Sequence, residues 1–342
     1  MNKKILIVGI GGRTGAMFAE ELKKAGTVYG AGLDREVDLI EEKKILIEKK
    51  GKKTVFDPNT IRSWEFERLA EEIAPDFVFL ATRNPVGEAV KFYYRAFAKI
   101  SKLPVLVLSQ NGLSAGGDAR EALKEALGAD SEKVKIIRLS LFNPIAAVLS
   151  GETFCVSYST PVQLCYGVHS GGAGASDLRE VFSNTKIDAA EVAAGDTRNM
   201  EYSKLFLNLI GMASAVRGKS VKEGFNDPEI FADEMKVIRE YAKSVKKAGG
   251  KFLTFPNYSY PVGIIVWGLT SLPLPVFSLF RSRLAGIVGS KRDNKPKDIA
   301  EIDYYNGDVV KLARKFGVCV PANEKILAEG KKLLKEKQTA AK

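Results

Sequence analysis

Residues 5–8, 76–81 and 105–108 are short runs that are almost wholly apolar. Runs of this kind read as strands buried on both faces. Between them the apolar spacing lengthens to three or four. Phe18, Leu22 and Ala25 place a helix over 16–25, and further helices are predicted over 64–73 and 90–100. Residues 28–33 predict a second strand and 44–56 a charged hairpin turning near Gly51. Residues 135–141 and 154–168 add strands, broken by Asn143-Pro144 and Gly151. A glycine run, Gly171-Gly172-Ala173-Gly174, reads as the connection from a late strand to a helix starting at 177. After about residue 190 the strand-like patterns stop, and 202–216, 228–248, 299–316 and 323–334 all carry helical spacing. The pattern predicts an α/β chain: a Rossmann-type doubly wound sheet over 1–190, then an all-helical substrate or dimerisation domain over 191–342. A substrate cleft is expected between the two.

Residues 261–280 stand apart, because they hold no charge for twenty positions, the length of a membrane-crossing helix. Pro261, Pro273 and Pro275 would interrupt such a helix, and no second segment of the kind exists. The stretch is expected to be buried helix and loop, or the surface of a homodimer. A membrane is not expected as a partner.

Composition narrows the compartment and the ligands. The chain has 52 basic and 41 acidic residues, a net charge of +11, with lysines interleaved with glutamates over most of its length. That surplus reads as a solvated surface that also favours a phosphate-bearing cofactor. No nucleic-acid module accompanies it. Cys155, Cys165 and Cys319 are odd in number and lack metal-type spacing, which suits thiols in a reducing cytoplasm. The single histidine, His169, is no basis for a metal site, and no secretory leader is expected.

Candidate chemistry gathers at strand ends. After the first strand come Gly9, Gly11, Gly12, Arg13, Thr14 and Gly15, a Gly-x-Gly-x-x-x-Gly turn opening a helix. In a dinucleotide fold, glycines there let the backbone approach a pyrophosphate, and the N–H groups of the helix start face it. Asp34 and Arg35 end the second strand, where a carboxylate binds ribose hydroxyls and an arginine accepts an extra phosphate, so NAD and NADP both stay open. Arg83 and Asn111 follow later strands at the edge that faces ligands. On the helix over 202–216, Lys204, Asn208 and Met212 are four apart and are expected to share one face.

The N-terminal ILIVGIGGRTG, the SQNGL at 109–113, the YSKLFLN at 202–208 and the EIDYYNGDVVKLARKFGVCVPAN at 301–323 together resemble the ketopantoate reductase (2-dehydropantoate 2-reductase) family. The resemblance runs from the first strand to about residue 329. It implies hydride transfer from NADPH to the ketone carbon of a 2-oxo acid in pantothenate and coenzyme A biosynthesis, with NAD as the alternative cofactor. It also implies roles for residues. Lys204 is the general acid, and Glu301 holds the substrate hydroxyl and orients the lysine. Asn111 contacts both nicotinamide ribose and substrate, Asn208 contacts substrate, and Arg83 lies near the cofactor phosphate. The chain departs from the family pattern at Met212, where a second asparagine is usual. It departs again at 290–297, where Ser290 or Lys297 stands in for a carboxylate-binding serine. Another 2-oxo acid, or a dinucleotide-binding sensor or partner protein without turnover, are the alternatives.

Overall fold

A computed structural model of the protein describes residues 2–150, 153–172, 174–258, 261–289 and 295–340. Ser290, Gly151 and Ala173, singled out above, lie outside the described residues. The chain divides into two compact units. The first is Met1–Gln110, Ala115–Thr197 and Pro256–Tyr258; the second is Asn111–Ser114, Arg198–Phe255 and Ser259–Lys342.

The first unit begins with β1 (Lys3–Val8), α1 (Arg13–Leu22), β2 (Gly26–Gly32), α2 (Asp34–Lys43), β3 (Ile45–Lys49), β4 (Lys52–Phe56) and β5 (Asn59–Arg62). It continues through α3 (Phe66–Ile73), β6 (Phe77–Leu80), α4 (Gly87–Phe97), β7 (Val105–Leu108), α5 (Ala115–Leu127) and β8 (Ile136–Leu141). β9 (Ile145–Ser150), β10 (Thr153–Tyr158), β11 (Val162–Ser170), α6 (Ser176–Ser183) and β12 (Ile187–Glu191) complete it.

Eight strands form one sheet in the order β12-β11-β8-β7-β6-β1-β2-β5, parallel throughout except where β11 pairs antiparallel with β8. The apolar runs are its centre because both faces are covered. Ile5 and Ile7 pack on one side with Met17 and Phe18 of α1. Leu6 and Val8 pack on the other with Phe66 of α3 and Tyr94 of α4. From β1 the chain moves to β2 on one side and later returns to β6 on the other, so the strand order reverses between β1 and β6. Open α/β sheets bind their ligands at such a reversal.

Two features were not foreseen. Residues 34–43 form α2, and the charged hairpin β3–β4 is joined by β10 and β9 into a second, four-stranded sheet, with β3 parallel to β10.

The second unit is helical: α7 (Thr197–Leu209), α8 (Met212–Ala215), α9 (Val221–Asn226), α10 (Pro228–Lys247), α11 (Val262–Ser271), α12 (Leu274–Leu279), α13 (Arg281–Gly289), α14 (Asn306–Lys315) and α15 (Pro321–Ala340). Asp227 starts α10 by accepting the N–H groups of Glu229 and Ile230 at 2.9 and 3.1 Å, with Pro228 in the first turn. α8, α9, α11, α12, α14 and α15 all touch α10.

Three expectations change here. The helix over 202–216 breaks at Gly211, whose φ is +91°, so Met212 starts a separate helix and lies in the core instead of continuing the Lys204–Asn208 face. The helix over 299–316 starts only at Asn306, after a 3₁₀ turn over Ile302–Tyr304. The uncharged stretch is not buried: only Val262, Val266 and Leu269 of α11 turn inward, and Ile264, Trp267, Leu279 and Phe280 are exposed.

Candidate active site

In the first unit the site is built on the turn between β1 and α1. Gly9 has φ +90°, which an L side chain rarely adopts, and a Cβ there would lie 3.1 Å from the amide nitrogen of Thr82 beyond β6. A Cβ on Gly15 would sit 2.1 Å from the Gly9 carbonyl oxygen, so α1 could not approach the turn so closely with any larger residue. Gly12 is the N-cap and offers no side chain, which leaves the helix start without a side-chain cap, and no acidic residue lies in its first turn. Arg13 and Thr14 form that first turn, with Arg13 exposed. These residues fit a pyrophosphate: backbone can approach, and donors and helix dipole point the same way. Arg83 is exposed in the loop after β6, one residue from the Thr82 that abuts Gly9.

At the end of β2 a pocket of about 510 Å³ is lined by Leu33, Asp34, Arg35, Ser63, Trp64 and Phe92. The Trp64 indole donates to Asp34 Oδ1 at 2.8 Å. Behind it the Ser63 hydroxyl donates to the Gly32 carbonyl at 2.9 Å and lies 3.0 Å from the Tyr93 hydroxyl. Burial pushes the Tyr93 phenol up to about 12, so it stays protonated.

The second unit holds the other group of polar residues. Asn208 Nδ2 donates to Asn111 Oδ1 at 3.0 Å. Asn111 Nδ2 in turn donates to Glu301 Oε2 at 3.1 Å and to the Tyr305 hydroxyl at 3.2 Å. That hydroxyl donates to the same Glu301 oxygen at 2.9 Å. Lys204 is one helical turn before Asn208 on α7, half-buried, and shares its face. The Lys297 ammonium donates to the Asn208 carbonyl near the end of α7, where a cation suits the helix dipole, and lies 5.1 Å from the centre of the Tyr305 ring. Asp308, buried at the start of α14, accepts the N–H groups of Leu113 and Ser114 at 2.6 and 3.1 Å and also the Ser114 hydroxyl.

No family model matches the chain, and no curated protein matches it in sequence. Solved structures do. A PanE/ApbA family ketopantoate reductase from Ralstonia eutropha JMP134 aligns with a TM-score of 0.72 at 16% identity, over 98% of this chain and 99% of its own. The chain has the ketopantoate reductase fold. A 2-dehydropantoate 2-reductase from Methylococcus capsulatus aligns at 0.64 with 18% identity over 97% of each chain. D-mandelate dehydrogenase with NADH and anilino(oxo)acetate aligns at 0.66 with 15% identity, over 95% of this chain and 96% of its own.

Within that fold, Asn111, Asn208 and Glu301 come together from positions 111, 208 and 301, as do Gly9–Gly15 and the Thr82–Arg83 loop. Asp34 and Arg35 both line the pocket at the end of β2. Asn111 belongs to the second unit, although the strand before it belongs to the first. Sequence reasoning missed Tyr305, Trp64 and Asp308. Tyr305 lay inside the motif that carries the ketopantoate reductase resemblance, next to Tyr304, and nothing in the spacing chose between the two rings. Among the described residues, no three His, Cys, Asp or Glu side chains gather to hold a metal. Burial, and then Asp188, push the Cys165 thiol up to about 12, which makes it a poor nucleophile.

Proposed function

We propose that the protein is a nicotinamide-dependent oxidoreductase that reduces a 2-oxo acid to the 2-hydroxy acid, with ketopantoate the leading substrate. The observation that carries this reading is the hydrogen-bonded group Asn111–Asn208–Glu301–Tyr305 beside Lys204, in a chain that also has a glycine turn shaped for a pyrophosphate. Solved structures of the same fold are described as ketopantoate reductases and as a D-mandelate dehydrogenase with NADH, which supports the same reaction class here.

When bound, a reduced nicotinamide dinucleotide supplies the hydride. Gly9, Gly11, Gly12, Arg13, Thr14 and Gly15 hold its pyrophosphate, Asp34 and Arg35 meet the adenosine ribose, and Arg83 pairs with phosphate. Asn111 positions both nicotinamide ribose and substrate. Lys204 gives its ammonium proton to the carbonyl oxygen as the ketone carbon is reduced, so that C=O becomes CH–OH. Glu301, with a fixed hydroxyl donor in Tyr305, holds the substrate hydroxyl and orients Lys204. Asn208 contacts the substrate, and Ser290 or Lys297 its carboxylate. In this reading the enzyme is cytoplasmic, serves pantothenate and coenzyme A biosynthesis, and can form a homodimer.

The resemblance in sequence names NADPH first. The Trp64–Asp34 bond favours NADH as the second reading, because a carboxylate held at the end of β2 accepts ribose hydroxyls and repels a phosphate.

The test is oxidation of NADPH and NADH with ketopantoate by purified protein and by Lys204→Ala. Turnover should fall roughly 100-fold or more in the variant, the scale of a lost general acid, while dinucleotide binding persists. Turnover unchanged in Lys204→Ala would sink the mechanism. Tight binding without turnover on any 2-oxo acid would sink the activity.

A further inference from the structure

The uncharged stretch is not absorbed by this function. From Lys251 to Arg292 there is no aspartate or glutamate, although 41 in 342 residues would put about five in 42 positions. The same stretch carries Lys251, Arg281, Arg283, Lys291 and Arg292. On α11 the inward residues Val262, Val266 and Leu269 recur at i, i+4 and i+7, and the opposite face presents Ile264 and Trp267 at 67% and 69% exposure. The following segment adds Leu272, Leu279 and Phe280 at 46%, 83% and 52%. Arg283 is exposed four residues after Leu279, and Arg281 donates to the backbone carbonyls of Asn226 and Ser278. Ile264 and Trp267, three apart on α11, and the consecutive Leu279 and Phe280 each expose two large apolar side chains together, which is uncommon on a soluble surface without an occupant.

We infer that the outer face of α11–α13 rests on an anionic lipid surface. Its two kinds of side chain match the two layers of such a surface. Trp267, Ile264, Leu279 and Phe280 suit the acyl boundary, and Arg281 and Arg283 suit headgroup phosphates. A second copy of the chain is the weaker occupant. A two-fold contact brings a patch onto itself, so Arg281 and Arg283 would meet their own copies. No helix among the described residues is long and apolar enough to cross a membrane, and the inferred mode is lying on the surface. This goes beyond the proposed reaction and does not depend on it.

Flotation of the full-length protein with vesicles tests the inference, using phosphatidylcholine alone and a one-to-one mixture with phosphatidylglycerol. The protein should float with the anionic vesicles and at least tenfold less with the neutral ones, and raised salt should release it. Trp267→Ser combined with Leu279→Ser should reduce the floated fraction at least tenfold. Arg281→Gln with Arg283→Gln should erase the preference for the anionic lipid. Circular dichroism of each variant should match the native chain, and if a pair misfolds, each single substitution is read instead. Absence from the anionic fraction, or flotation of either double variant with the anionic vesicles equal to that of the native chain, overturns the inference. So does a dimer in solution that Trp267→Ser breaks, because it assigns the face to a second copy.

Discussion

At the scale of single residues, Asn111 depends on a side chain far from it in sequence. Asp308 fixes the amides two and three residues further along its loop by accepting from Leu113 and Ser114, and Arg198 holds the Leu113 carbonyl at 2.6 Å. Gly112 completes the device: its φ is +91°, and a Cβ there would lie 2.7 Å from Asp308 Oδ2. Asp308→Ala leaves the buried Leu113 N–H and the half-buried Ser114 N–H without their acceptor and should cost about 2 kcal/mol in urea unfolding. Turnover should fall at least tenfold as Asn111 drifts from Glu301. Native stability and turnover in that variant would show that the loop holds itself. Asp34 offers a second case. Asp34→Ala should weaken NADH binding about tenfold, the worth of one charged hydrogen bond, while NADPH binding holds or improves. Fluorescence titration with each dinucleotide reads this, and a parallel loss of both would remove Asp34 from the choice. Asn111 and Asp34 were legible because each follows a buried strand. Asp308 and Trp64 were not, because the contacts that give them meaning span 195 and 30 residues.

At the scale of elements, the break between α7 and α8 shows why periodicity alone misleads. Apolar spacing continues through 202–216, yet Gly211 turns the chain, and the amides freed there are taken by Glu234 of α10. Its oxygens accept from Gly211 N at 3.1 Å, Ser214 N at 2.9 Å and Ser214 Oγ at 2.9 Å. Spacing records which residues are apolar, and it cannot record that a carboxylate from another helix supports the interruption. Burial raises the Glu234 pKa above its ordinary 4.5, with the Ser214 and Gly211 hydrogen bonds and the charge of Lys297 opposing only in part. The folded chain therefore holds this proton to higher pH than the unfolded chain does. The group's contribution is fully present below about 4.5 and declines as pH rises through the raised value. Glu234→Gln, which cannot ionise, should gain stability relative to the native chain as pH is raised from 5 to 8. Urea unfolding at both pH values checks this, and a difference that does not move with pH would mean that Glu234 does not titrate in that window.

At the scale of the whole molecule, each unit draws on distant parts of the chain. Residues 111–114 belong to the helical unit and 256–258 to the sheet unit. The second sheet pairs residues 45–48 with 154–157. Behind it, Lys49 reaches Glu20 at 2.9 Å and Glu21 at 2.7 Å, and the Tyr158 hydroxyl donates to Glu21 at 2.8 Å. The Lys49 ammonium, opposed by burial, has its pKa raised by those two carboxylates and stays charged. The surplus of +11 has no such partners to name in sequence. Only exposure separates the lysines of a solvated face from Arg283, which follows the exposed Leu279 and Phe280.

The opening strand, turn and helix of the sheet unit were readable from residue order. A buried strand, a turn that tolerates only glycine and a helix start follow one another within fifteen residues, and local sterics and the helix dipole act over that distance. The doubly wound sheet was readable for the same reason, since strands covered on both faces must be apolar at every position. The Asn111–Asn208–Glu301–Tyr305 cluster, the Glu234-supported break in α7–α8, the second sheet and the exposure of Trp267 were settled by folding. Each depends on side chains that meet across tens to hundreds of residues, and on which face of a helix the neighbouring helices leave uncovered. Neither quantity is carried by the order of residues along the chain.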